Sequence, residues 1–169
     1  MHDEAFEWVA KHATTDPVEV LDIGGRDVNG SPRSLFPNAT AYMVLDIADG
    51  ANVDIVADAA EWQPTREYDV IICTEVFEHT PVWRDICAMA YRACKPGGQL
   101  ILTMAGPGRP AHSAIDGFRK RPEEHYANID PSRLREALME RGWTDVTVDY
   151  QMNPADTRAV AKRQELTNV

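Results

Sequence analysis

With 169 residues, 44% of them hydrophobic and 26% charged, the chain has the composition of an ordinary globular protein, long enough for a single domain (1–169) with a real core. Its net charge of −10 argues against a broad phosphate-binding surface, and the acidic start HDEAFEW reads as neither a signal peptide nor a membrane span. Cys73, Cys87 and Cys94 form no CxxC or His/Cys metal spacing, so no metal site is expected and the thiols are assigned to core packing in a reducing, cytoplasmic setting.

Taken in order, Asp3–Ala13 has apolar residues at helical spacing and is ended by Asp16-Pro17. Glu19–Ile23 is a short β-branched strand that runs into Gly24-Gly25. Ser31-Pro32 starts a helix that Pro37 cuts short. Ala41–Asp46 and Asp54–Val56 are the next strands, too close together for a full helix between them, so this edge of the sheet is trimmed. Asp69–Thr74 (DVIICT) is apolar throughout, as a strand buried on both faces is. A helix over Val82–Ala93 stops at Lys95-Pro96-Gly97-Gly98, and Gln99–Met104 is the fifth strand. Ala105–Asn128 lacks periodicity and reads as a functional lid or substrate loop. Asp130-Pro131 opens a helix to about Arg141; Trp143–Met152 and Thr157–Lys162, joined by Asn153-Pro154, form an antiparallel pair. The whole is a doubly wound, mostly parallel α/β sheet, in which ligands sit beyond the carboxyl ends of the strands.

Three acids occupy that rim: Asp22, Asp46 and Asp58. Asp46 lies 24 residues after Asp22, close to the ~20-residue offset at which an acid meets a ribose diol. A dinucleotide fingerprint would need glycine at positions 24, 26 and 29, and two of these are Arg26 and Asn29. Without the second glycine a pyrophosphate cannot approach closely, which counts against a nicotinamide cofactor. The phosphate-binding loop of nucleoside triphosphatases is absent altogether.

LDIGG, AYMVLDI, VADAAEW, YDVIICTEVFEHT and CKPGGQLILT, in this order and at this spacing, resemble the successive motifs of class I S-adenosylmethionine-dependent methyltransferases. The resemblance covers Val18–Met104 well and the last helix and strands loosely. It implies a Rossmann-like, three-layer α/β/α fold with a seven-stranded sheet and an antiparallel last strand, with S-adenosylmethionine as cofactor. It places Asp22, Gly24 and Gly25 around the methionine part, Asp46 on the ribose diol and Ile47 on the adenine face. Asp58 and the Ala59 amide would meet the adenine amino group, and Thr74 and Glu75 the methionine amino group and methyl. The chain departs from the pattern at Arg26-Asp27-Val28, where the family usually continues with glycine. Two readings of Arg26 stay open, a partner for the methionine carboxylate or a solvated loop residue.

Glu78-His79 follows the fourth strand, where similar enzymes hold the acceptor. His79 is the candidate base, its alternative being a helix-start histidine with one backbone or solvent hydrogen bond. Glu78 is the second catalytic candidate, its alternative a helix-end contact; in some relatives an acid here binds a divalent metal. The long loop supplies His112, His125 and Tyr126 as acceptor-binding candidates, and its mixed charge suits a small polar metabolite. On this reading, trimming Gly108–Arg121 spares cofactor binding and abolishes turnover. An RNA or DNA methyltransferase and an inactive cofactor-binding scaffold are the alternatives. Against the first, the chain lacks an aromatic-basic stripe and a recognition domain; against the second stand the intact Asp46 and Asp58.

Overall fold

The computed structural model describes residues 1–165. In it, α1 (Asp3–His12) is followed by β1 (Glu19–Ile23), β2 (Ala41–Asp46), β3 (Ile55–Val56) and β4 (Tyr68–Thr74). Then come α2 (Trp83–Ala93), β5 (Cys94–Ala105), α3 (Pro131–Glu140), β6 (Trp143–Gln151) and β7 (Asp156–Arg163). The seven strands form one sheet in the order β3-β2-β1-β4-β5-β7-β6. β7 runs antiparallel to both of its neighbours, while β1 to β5 are parallel. The chain reverses its direction of travel across the sheet between β1 and β4, which opens a crevice at their carboxyl ends.

Side chains alternate across a strand, and the two sets find different partners. Leu21, Ile23, Ile71 and Cys73 pack with Ile86, Met89 and Ala90 of α2 and with Leu134 and Leu138 of α3. Val20, Val70, Ile72 and Ile101 face the other way, onto Trp8 and Val9 of α1 and onto Phe36. Both faces of β1 and β4 are therefore covered, as their apolar sequences require.

The helix ends follow local chemistry. α1 begins with Asp3 and Glu4 and finishes with Lys11 and His12, matching the helix dipole. Asp130 caps α3 by accepting from the Ser132 and Arg133 amides, with Pro131 at the first helical position. Ser31 accepts from the Arg33 amide and starts only a 3-10 turn over Pro32–Leu35. No helix separates β2 from β3, so that edge is trimmed as the proline and strand spacing implied.

Cys94–Gly98 differs from the expectation of a plain loop: β5 starts at Cys94, which pairs with Tyr68. The register then slips, so that Val70 meets Gln99, and the Pro-Gly-Gly stretch is accommodated as an irregularity within the strand. All three cysteines are free and buried, and burial pushes the Cys87 and Cys94 thiols up to about 12, which fits a packing role.

Candidate active site

Two cavities meet at the carboxyl ends of β1, β2 and β4. The larger, about 570 Å³, is lined by Asp22, Gly24, Gly25, Arg26, Thr74, Glu75, His79 and His112, together with His2, Arg109 and Ser113. The smaller, about 380 Å³, is lined by Asp46, Ile47, Asp58 and Ala59, with Leu45, Val76, Ile86 and Ile115 giving it an apolar wall. Gly24, Arg26, Val28, Glu75, His79 and Ala114 border both.

The glycine turn is built around Asp22, which is fully buried. Asp22 Oδ2 accepts from the Tyr42 hydroxyl at 2.8 Å, and Oδ1 has no partner among the described residues. Burial is the main influence on this carboxyl and pushes it up to about 7, against the pull of the Tyr42 hydrogen bond. Gly24 has φ +71° and gives its amide to the Leu45 carbonyl at 2.7 Å. A Cβ on Gly25 would lie 2.5 Å from the Asp22 carboxyl carbon, so only glycine lets the chain close over this acid.

Asp46 ends β2 with Oδ2 accepting from the Arg26 amide at 3.1 Å and Oδ1 from the Ala48 amide at 2.9 Å. Each oxygen keeps a further lone pair for a ligand. Asp58 is fixed in the same way by the Ala60 amide at 2.9 Å. The Arg26 guanidinium makes no hydrogen bond or ion pair among the described residues and lies between the two cavities.

Beyond β4 the backbone turns sharply at Glu75, which has a left-handed φ of 57°, a conformation that costs a non-glycine residue about 1–3 kcal/mol. The turn aims Glu75 into the chamber, where Oε1 accepts from the Thr103 hydroxyl at 3.0 Å and Oε2 lies 3.3 Å from His2 Nε2. Burial would raise its carboxyl, but the bond to His2 and the charges of His2 and Arg109 outweigh it and hold the group below the usual carboxylate range.

His79 lines both cavities and packs edge-on against His112 and Tyr126, with ring centres 4.9 and 5.5 Å away. Its Nδ1 is buried without a partner, which leaves Nε2 as the nitrogen open to a ligand. Burial first, then the nearby His112, pushes the ring down to about 4, so it is neutral at physiological pH.

Three candidates stand outside the cavities. Glu78 is fully buried; Oε1 accepts from the Ala105 amide and its carbonyl from the Ala127 amide, so it ties together the two ends of the long loop. Burial and the neighbouring Glu75 raise its carboxyl well above the ordinary range. Tyr126 supports the histidine rings from behind and donates to the Pro110 carbonyl at 3.2 Å. His125 is exposed and touches neither cavity, because the loop backbone turns it outward. Glu78, His79 and His112 each offer a donor atom within 4.8 Å of the others, a span that a small divalent ion could bridge.

The loop also serves more than the acceptor side. It is held by its own bonds, Ser113 Oγ to Glu124 at 2.7 Å and Arg121 to Asp116 at 2.9 Å. Ala114 and Ile115 form part of the smaller cavity, so trimming Gly108–Arg121 would disturb both halves of the site, contrary to the expectation from sequence. His2, Arg109 and Asp156 carried no signal in the sequence: each is far along the chain from the glycine turn, and only folding brings them to Glu75.

Residues 1–148 match the family described as a methyltransferase domain. The chain belongs to the class I S-adenosylmethionine-dependent methyltransferases. Among curated relatives of this methyltransferase domain, the ubiquinone biosynthesis O-methyltransferase of Burkholderia thailandensis is 36% identical over 113 residues, covering 58% of this chain and 49% of that protein. The enzyme of the same name from Erwinia tasmaniensis is 28% identical over 115 residues, covering 58% and 47%. The chain spans about half the length of the curated relatives it matches. In solved structures, the 1,6-didemethyltoxoflavin-N1-methyltransferase of Burkholderia thailandensis, with 1,6-didemethyltoxoflavin and S-adenosylhomocysteine bound, superposes with a TM-score of 0.72 at 15% identity, over 96% of this chain and 77% of that one. At that identity the likeness concerns the fold.

Proposed function

We propose that the chain is an S-adenosylmethionine-dependent methyltransferase acting on a small-molecule acceptor. The observation that carries this reading is the joined pair of cavities, with the Asp46 carboxylate opening into the apolar half and the Gly24-Gly25 turn bordering the other. The residues fit the cofactor on their own chemistry. Asp46 has a free lone pair on each oxygen for the two ribose hydroxyls. Ile47 and the apolar wall suit the adenine ring, with Asp58 and the Ala59 amide at its amino edge. The unpartnered Asp22 Oδ1, Thr74 and Glu75 suit the methionine ammonium, and the unpaired Arg26 its carboxylate. Bound there, S-adenosylmethionine supplies an already activated methyl group for in-line displacement.

The protein's part is then mostly positioning, worth ~7–11 kcal/mol in well-oriented reactions. Pro110, His112 and Ser113 wall the acceptor side. His79 Nε2 takes a proton from an acceptor hydroxyl; a ring held near 4 is a weak base, so it suits an acidic hydroxyl or a nucleophile that needs no base at all. Tyr126 holds that ring in place. No helix among the described residues is long and apolar enough to cross a membrane, and three free thiols are in keeping with a reducing cytosol.

Calorimetry with S-adenosylmethionine and S-adenosylhomocysteine tests the cofactor assignment, which fails if neither binds. A screen of small phenols, amines and thiols, read by release of S-adenosylhomocysteine, then identifies the acceptor.

A further inference from the structure

The start of the chain reaches into the larger cavity, where His2 joins Glu75 and Arg109 in the wall. His2 Nδ1 lies 3.0 Å from Glu4 Oε2, and Nε2 lies 3.3 Å from both Glu75 Oε2 and Asp156 Oδ2. Both ring nitrogens thus face carboxylate oxygens. A neutral imidazole has one N–H. If Nδ1 keeps it for Glu4, Nε2 turns a lone pair toward two anions; only the imidazolium donates on both sides. Asp156 is fully buried at the head of β7, its Oδ2 has no hydrogen-bond partner among the described residues, and His2 Nε2 lies 3.3 Å from that oxygen.

Arg109 supplies the second positive charge. Its Nη1 binds Asp156 Oδ1, and Nη2 lies 3.6 Å from Glu75 Oε2. The guanidinium thus reaches both carboxylates, one with each terminal nitrogen. Arg109 Nη1 also lies 3.4 Å from His2 Nε2. A deprotonated His2 would accept there and release both acids, so the two protonation states have different partners.

We propose that His2 is a positioning residue and a latch: its imidazolium joins Glu75 to Asp156 and holds the start of α1 over the larger cavity. The latch rests on the methyl-transfer reading only for what the chamber encloses. Burial opposes the proton on His2, but the hydrogen bond and charge of Glu75, with Asp156 and Glu4, outweigh it and raise the ring above its ordinary value. Glu4, Glu75, Asp156 and Arg109 are the charged groups that face it. Because the docked value is raised, docking is strongest at low pH and is lost as pH rises through that value.

Nuclear magnetic resonance on the full chain tests this directly. The His2 ring protons report its titration, and the Phe6 amide, which donates to the His2 carbonyl at 3.1 Å, reports docking through its exchange protection. The midpoint of His2 is expected above that of a free histidine. Phe6 protection is expected to fall with rising pH, about tenfold for each pH unit by which the midpoint is raised. In His2→Gln, which keeps a donor but cannot titrate, protection stays constant with pH; in His2→Ala it is low throughout. A His2 midpoint at or below the free value overturns the latch, as does the same pH dependence in His2→Gln as in wild type. Calorimetry with S-adenosylhomocysteine on the same samples separates the two claims. Absent binding with an intact titration supports the latch and removes the methyl-transfer reading; binding with no titration does the reverse.

Discussion

The Tyr42 hydroxyl donates to Asp22 Oδ2 at 2.8 Å, and this bond is the only one among the described residues made by a fully buried carboxyl at the head of the glycine turn. It joins β1 to β2 beneath the chamber and pulls the carboxyl down against the stronger influence of burial. Removing it with Tyr42→Phe leaves Asp22 without a donor. We expect a loss of about 1–3 kcal/mol in stability, read as a lower denaturation midpoint. Burial would also drive the Asp22 carboxyl still further up.

The raised carboxyl has a consequence for pH. Asp22 moves from an ordinary value of 3.8 to about 7 on folding, so the folded chain binds more protons than the unfolded chain across that window. Its contribution to stability is fully present below the lower value and fades as pH rises through the upper one, at up to ~1.4 kcal/mol per pH unit. Asp22→Asn cannot titrate. Urea unfolding from pH 4 to 8 is expected to show wild type losing stability relative to this variant; parallel curves would contradict the assignment.

Gly25→Ala would put a methyl group 2.5 Å from the Asp22 carboxyl carbon, too close for any side chain. The turn must shift, at a cost of ~1–3 kcal/mol in a packed site. Thermal unfolding should register that loss, and calorimetry a large drop in cofactor affinity.

Asp46→Ala removes the acceptor for the Arg26 and Ala48 amides and both ribose-facing oxygens. Cofactor binding should weaken by at least ~1 kcal/mol. Unchanged affinity would mean that the ribose lies elsewhere.

His79 is neutral above about pH 5 because its ring is held near 4. Turnover should therefore show no loss from His79 protonation between pH 6 and pH 8, a range where an ordinary histidine would titrate. For a hydroxyl acceptor, His79→Ala should lower turnover, by about 10²-fold for a base this weak. Equal turnover would assign the proton to water or to the acceptor itself.

The seven strands, the three α-helices, their order and the rim acids were legible in the chain by itself, but not the 3-10 turn that follows Ser31 or the early start of β5 at Cys94. Apolar runs that contain Asp22 or end in Asp46 and Thr74, and punctuation by Pro37 and Gly142, are local signals, and local signals decide where most elements begin and stop. Asp46, Ile47, Asp58 and Ala59 share one cavity because parallel strands bring their carboxyl ends to one edge, a result that alternation of strand and helix already implies. Only the tertiary structure turned His125 outward, withdrew Glu78 into the core, and brought His2, Arg109 and Asp156 to Glu75. Those outcomes depend on contacts between residues far apart in the chain, and on burial that sets whether an acid or an imidazole is charged. Neither quantity is a property of any short stretch of sequence.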